Sequence, residues 1–159
     1  MNITILDITN NMHINHKARE WCLLPYPNHP KGCPNYGRKW CCPPEAPILE
    51  SWLGNYKRVS LICIEFNLKE HMEKMIARHS QWSLRQARCL LYWQRSVNKQ
   101  LAEATSHFAL NRLNGVTYCP EAMGLNVIAT AQAVGLPIKT KPNDIVYKIS
   151  LVKVVGEDG

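Results

Sequence analysis

Residues 21–47, WCLLPYPNHPKGCPNYGRKWCCPPEAP, hold four of the chain's seven cysteines and seven of its ten prolines. Prolines at that density exclude a helix and a central strand, because each fixes φ and removes a backbone donor. The thiols offer another way to order the segment. Cys22, Cys33 and Cys42 follow a C-x10-C-x8-C spacing, and Cys119 arrives far downstream. Three of these four precede proline, at Cys33-Pro34, Cys42-Pro43 and Cys119-Pro120. Proline biases the residue before it towards extended geometry, which keeps each thiol on a stiff, non-helical backbone. Bacterial ferredoxins also follow a cluster cysteine with proline. Gly32 and Gly37 let the chain wrap closely around a bulky inorganic core.

An odd cysteine count argues against a closed disulfide framework, and clustered thiols in a reducing compartment are more often metal ligands or catalytic groups. Structural zinc sites usually take ligands in close pairs from each of two loops. Here the one close pair is adjacent, Cys41-Cys42, and adjacent cysteines seldom both bind one ion. Dispersed single thiols suit a larger cluster. The expected group is therefore [4Fe-4S], held by Cys22, Cys33, Cys42 and Cys119, with Zn2+ as the alternative. Cys41 reads as a spare ligand, a reactive thiol or a small neighbour. Cys63 and Cys89 read as small buried hydrophobes.

Arg38 and Lys39 lie beside the expected centre. They are assigned to binding it through its negative charge, or to steering an anionic substrate towards it. Tyr36 and Trp40 bracket Gly37 and are expected to pack over the cluster, with base stacking as the alternative. His29, the one histidine inside the segment, is expected to face solvent.

The elements that must position these groups begin with a possible strand, ITILDI, and a short helical piece, APILESWLGNY. RVSLICIEF (58–66) is an apolar, β-rich run that reads as a buried strand. Asn67 with Glu70 opens a helix to about His79, and Ser83 with Gln86 repeats the signal. Ala87, Leu90, Val97, Leu101, Ala104 and Phe108 then form a stripe, interrupted at Gln94, that predicts one long helix to about Asn111. GVTYC (115–119) predicts a short strand, LNVIATAQAVG a helix closed by Gly135, and DIVYKISLVKV (144–154) a last strand. The expected fold is α/β: a small mixed sheet with flanking helices and an irregular Cys/Pro-rich segment. We take 1–159 as a single domain, with a metal-binding segment at 20–47 and an α/β body at 58–154. The first 56 residues look poorly equipped to order themselves through an apolar core.

Composition narrows the classes. Hydrophobic content of 46% and charge of 19% are globular values, and no run of about 18 apolar residues suggests a membrane span or partner. The first twenty residues lack a basic-then-apolar leader pattern, so the expected location is cytoplasmic. A net charge of +7 makes RNA a candidate partner, although Arg85, Arg88, Arg95 and Lys99 also read as a solvated helix face. Phosphate-loop, dinucleotide, zincin and nucleophile-elbow motifs are absent, which disfavours those chemistries.

GCPNYGRKWCCPP, followed by PEAMGLNVIATAQAVGLPI, resembles bacterial and archaeal proteins known as predicted metal-binding proteins, a domain family of unknown function. Their pattern is similar to C-P-x-Y-G-x-x-W-x-C-P-P with a later E-A-x-G-[IL]-[DN]-V-x-x-T-A, here Cys33 to Pro44 and Glu121 to Ala131. A typical member carries a further cysteine-rich stretch before the second motif, where this chain has the predicted helix and Cys119. CLLPYPNHPKGC and YCPEAMG are also similar to short motifs of thiouracil desulfidases. Those enzymes hold a [4Fe-4S] cluster by three cysteines and leave one iron free to take sulfur. That second likeness implies Cys22, Cys33 and Cys119 as ligands, Glu121 as a catalytic proton donor, and a small thiolated substrate. The two functional classes are thus an open-iron enzyme and a non-enzymatic module, with a closed zinc or iron–sulfur site, that binds RNA or a protein.

Overall fold

The computed structural model describes residues 1–25, 29–34, 36–110 and 115–155. Four strands form one sheet: β1 (Asn2–Asp7), β2 (Tyr56–Asn67), β3 (Val116–Thr117) and β4 (Ile145–Val155). Their spatial order is β1-β2-β4-β3, and every neighbouring pair is antiparallel. The helices are α1 (Leu49–Leu53), α2 (Leu68–Arg78), α3 (Leu84–Ala87), α4 (Gln94–Phe108) and α5 (Val127–Ala133). The α/β class with flanking helices holds, and the expected mixed sheet is instead antiparallel throughout the described strands.

The central strand explains its own sequence. Val59 to Ile64 are all buried, because β2 has a core on each face. On one face Val59, Leu61 and Cys63 pack with Leu151, Ile8, Leu49, Met123 and Val127. On the other, Ile62 and Ile64 pack with Val152, Leu68, Trp93, Val97 and Leu101. A strand covered on both sides shows a continuous apolar run in place of alternation.

Two expectations change. The predicted long helix is interrupted: α3 ends at Ala87, a 3-10 turn covers Leu90–Tyr92, and α4 starts at Gln94. Trp93 causes the break. Its ring is buried and stacks on Phe66 with centroids 4.7 Å apart, while its indole N–H donates to the Arg88 carbonyl. Reaching that position takes the backbone to φ −140°, outside the helical region. Asn111, the expected helix end, lies outside the described residues. The first 56 residues also bury more than expected: Ile8, Ala18, Ala46, Leu49 and Leu53 are each 4% exposed or less. Among the described residues no helix is long and apolar enough to cross a membrane.

One polar contact sits inside the helix-side layer. Thr105 Oγ1 donates to the Leu101 carbonyl at 2.6 Å and lies 2.7 Å from Ser150 Oγ, with both residues fully buried. Replacing Thr105 by Val leaves the Ser150 hydroxyl without this partner in a dry layer. Such an orphan costs about 1–3 kcal/mol. Urea unfolding should therefore show Thr105→Val destabilised by that order, and adding Ser150→Ala should recover part of the loss.

Candidate metal centre

The centre is assembled by two short 3-10 segments that meet across the sequence. The first, His16–Leu23, carries Cys22; the second, Pro120–Met123, follows Cys119 and carries Glu121. Backbone bonds clamp them together. Asn15 N–H donates to the Gly124 carbonyl at 2.7 Å, and Asn126 N–H donates to the His13 carbonyl at 2.8 Å. Thr130 Oγ1 accepts from His13 N–H at 3.0 Å. Gly124 has φ +103°, and a Cβ there would stand 2.6 Å from His16 Nδ1, so the approach admits only glycine.

The cysteine–proline segment is then fastened to the first of these pieces. Cys33 N–H donates to the Cys22 carbonyl at 2.6 Å. Gly32, at φ +84°, presses against the same backbone, where a Cβ would run into Cys22 and Leu23. Arg19 reaches from the 3-10 segment to the Pro44 and Ala46 carbonyls, at 3.2 and 2.9 Å. Turns close the rest. Tyr36 N–H donates to the Cys33 carbonyl, and Cys42 N–H donates to that of Lys39. Gly37 supplies a positive φ of 69°, although a Cβ would find ordinary room there.

This framework brings Cys22, Cys33, Cys41, Cys42 and Cys119 into one electrostatic neighbourhood. Burial pushes the Cys22 thiol up, with Cys33, Cys42 and Glu121 adding to the effect. Burial also raises Cys42, reinforced by Cys41 and opposed by the Lys39 backbone. Cys119 is pushed up to about 12 by burial first, then by Cys41, through charge and a thiol–thiol hydrogen bond, and by Glu121 and Cys42. Glu121 is raised by burial, with Lys148 of β4 opposing the shift. Lys148 is lowered by burial and supported by Glu121. Glu121 and Lys148 thus feel each other's charge near the thiols.

The donor set fits a thiophilic metal. Partly buried thiols that raise one another cannot ionise together without a cation, and soft thiolates select iron–sulfur clusters, zinc or copper(I). Among the described residues no group of three or more Cys, His, Asp or Glu side chains is already closed around a single ion position. A bound group would draw them in.

Of the residues named from sequence, Cys22, Cys33, Cys42, Cys119 and Glu121 are gathered, and Arg38 and Lys39 are exposed on the turn before Cys41. Trp40 is a correction. It is 81% exposed and shields nothing, whereas Tyr36 is partly buried. Of two further members, the sequence left the role of Cys41 open and gave no sign of Lys148. Cys41 contacts both Cys119 and Cys42, although its adjacency to Cys42 had counted against it. Lys148 sits in an alternating strand, where a lysine reads as solvent-facing.

The family model described as "Predicted metal-binding protein (DUF2284)" matches residues 9–112. The chain belongs to this family. The match includes Cys22, Cys33, Cys41 and Cys42 and ends before Cys119 and the Glu121–Ala131 motif. No curated protein and no solved structure matches the chain.

Two results should follow from this geometry. Gly32→Ala should lose metal while keeping the far-ultraviolet signature of the sheet. The left-handed backbone alone costs a non-glycine residue about 1–2 kcal/mol, before the clash with Cys22. Metal content and circular dichroism on one preparation check this. Cys63, 1% exposed and pushed up to about 12 by burial, should stay unmodified when the native, metal-free chain is alkylated at pH 8 and mapped by mass spectrometry.

Proposed function

We propose that this metal-binding protein carries a [4Fe-4S] cluster, with Cys22, Cys33, Cys42 and Cys119 as its ligands. The supporting observation is the convergence of thiols from the cysteine–proline segment and from the turn after β3, where Cys22, Cys42 and Cys119 are each raised by burial and by neighbouring thiols. Arg38 and Lys39 supply positive charge on the adjoining turn and would draw an anionic substrate inward. Cys41, in contact with Cys119 and Cys42, stands as a fifth thiol able to take the place of a departing ligand.

In the catalytic form of this reading, three thiolates hold the cluster and one iron is left open. When bound, such a cluster supplies a Lewis acid for a thiolated or anionic small molecule. The chain's own part is to hold a proton at the Glu121 carboxyl. That group is kept partly buried near Cys22 and Cys119, within reach of the Lys148 charge. Glu121→Gln keeps the shape and removes the proton, so turnover should fall while cluster content stays.

A second reading has its own observation. Cys41 neighbours Cys119, and two thiols so placed could both serve one Zn2+ ion in a closed structural site. Trp40, exposed beside Lys39 and Arg38, would then serve as a stacking platform for an RNA base. Iron, zinc and acid-labile sulfide per chain, measured on anaerobically purified protein, separate the two. The cluster reading expects about four irons and four sulfides; one zinc without sulfide would overturn it. In the cluster reading, Cys42→Ser should also alter or abolish the visible spectrum.

A further inference from the structure

β1 forms one edge of the sheet, bonded to β2 on its inner side, and no described strand pairs with its outer side. Unpaired edges are usually guarded by lysine, proline, a bulge or covering structure. The strand Asn2–Asp7, NITILD, has none of the first three. Cover is also missing. By register Ile3 and Ile5 stand beside Ile64 and Ile62, which are wholly buried under the helices, yet Ile3 is 56% and Ile5 50% exposed. Two cations on this side of the molecule are already paired. Arg58 pairs with Asp7 at 3.4 Å and Lys74 with Glu70 at 2.9 Å, so the chain's positive excess does not oppose an approach here.

We propose that this edge is the interface with a second copy of the chain, joined β1 to β1 across a two-fold axis at Thr4 into one eight-stranded sheet. A single hydrogen bond restricts the register. Ile8 N–H donates to Val59 on β2, so along the extended strand the even-numbered residues bond inward. Ile3, Ile5 and Asp7 then hold the outward donors and acceptors. In an antiparallel self-pairing, outward residues must oppose outward residues. Setting Ile3 opposite Ile5 of the partner subunit meets that rule, pairs all four exposed isoleucines, and puts threonine opposite threonine. Such β-branched and hydroxyl pairs favour a sheet junction. The next register, with Ile5 on the axis, would set a carboxylate opposite Ile3. That is the poorer match. A standard interface buries about 800 Å² per partner. One six-residue edge covers less, so the dimer is reversible with concentration.

The test uses the full, metal-loaded chain. Sedimentation across the micromolar range should show the mass rising from one chain to two, and Ile5→Lys should hold it at one with metal content unchanged. Thr4→Cys, made in a Cys63→Ala background because Cys63 is its partner on β2, then tests the register. On the axis its two copies lie about 4.5 Å apart between Cα atoms, within reach of a disulfide. Asn2→Cys is more exposed, but the register puts its two copies about 13 Å apart, four residues along the strand. Mild oxidation should give several-fold more covalent dimer for Thr4→Cys than for the unaltered chain, and no excess for Asn2→Cys. Cross-linking of Asn2→Cys at or above the level of Thr4→Cys would overturn the proposal. So would a single-chain mass at every concentration, or a dimer that survives Ile5→Lys.

Discussion

Thiolates repel one another, and burial sharpens the repulsion by removing the water that would screen it. Every unusual feature of the N-terminal third is arranged around this constraint. Five cysteines are brought near one another by a few backbone contacts: Asn15 to Gly124, Asn126 to His13 and Cys33 to Cys22. These contacts are too few to order the segment alone, and a bound cation is what lets neighbouring thiolates sit side by side. Metal binding then adds energy where the apolar core is thinnest. Structural zinc contributes roughly 10–16 kcal/mol in small peptides, against a whole domain's stability of about 5–15.

The sheet serves this arrangement from its two faces. One core, under α2 and α4, is independent of the cysteines and keeps β2 and β4 in place. The other includes Ile8, Leu49, Met123 and Leu125, residues that flank the metal-binding pieces in sequence. Folding the second core is what brings residues near 20 and near 120 together. The loop positions of the thiols follow from that. Ligands that must come from distant parts of the chain sit best on irregular backbone at the ends of rigid elements.

Much of this was legible in the sequence, for identifiable reasons. β2 announced itself as a continuous apolar run and β4 by its alternation, although the middle of β4 is also buried on both faces, through Leu151 and Val152. The caps at Asn67 and Ser83 could be read because each uses its own side chain on a local amide. The cysteine–proline segment was visible because its composition suits no hydrogen-bonded element. What could not be read depends on long-range contact. Trp93 ends a helix only because Phe66 waits beneath it. Cys41 joins the thiol group only because its neighbour across the fold is Cys119, and Lys148 feels the Glu121 charge only once the chain has folded β4 into the sheet. The solvent exposure of Trp40 has no local signature at all.

The central claim is that one metal centre ties the cysteine–proline segment to the turn bearing Cys119. Hydrogen exchange over residues 20–47 in the loaded chain, the metal-free chain and a metal-reconstituted Cys119→Ser variant tests it directly. The account predicts slow exchange only in the loaded parent, with β2 and β4 protected in all three. Equal protection of the segment in the metal-free chain would contradict it, because the backbone frame alone would then be sufficient.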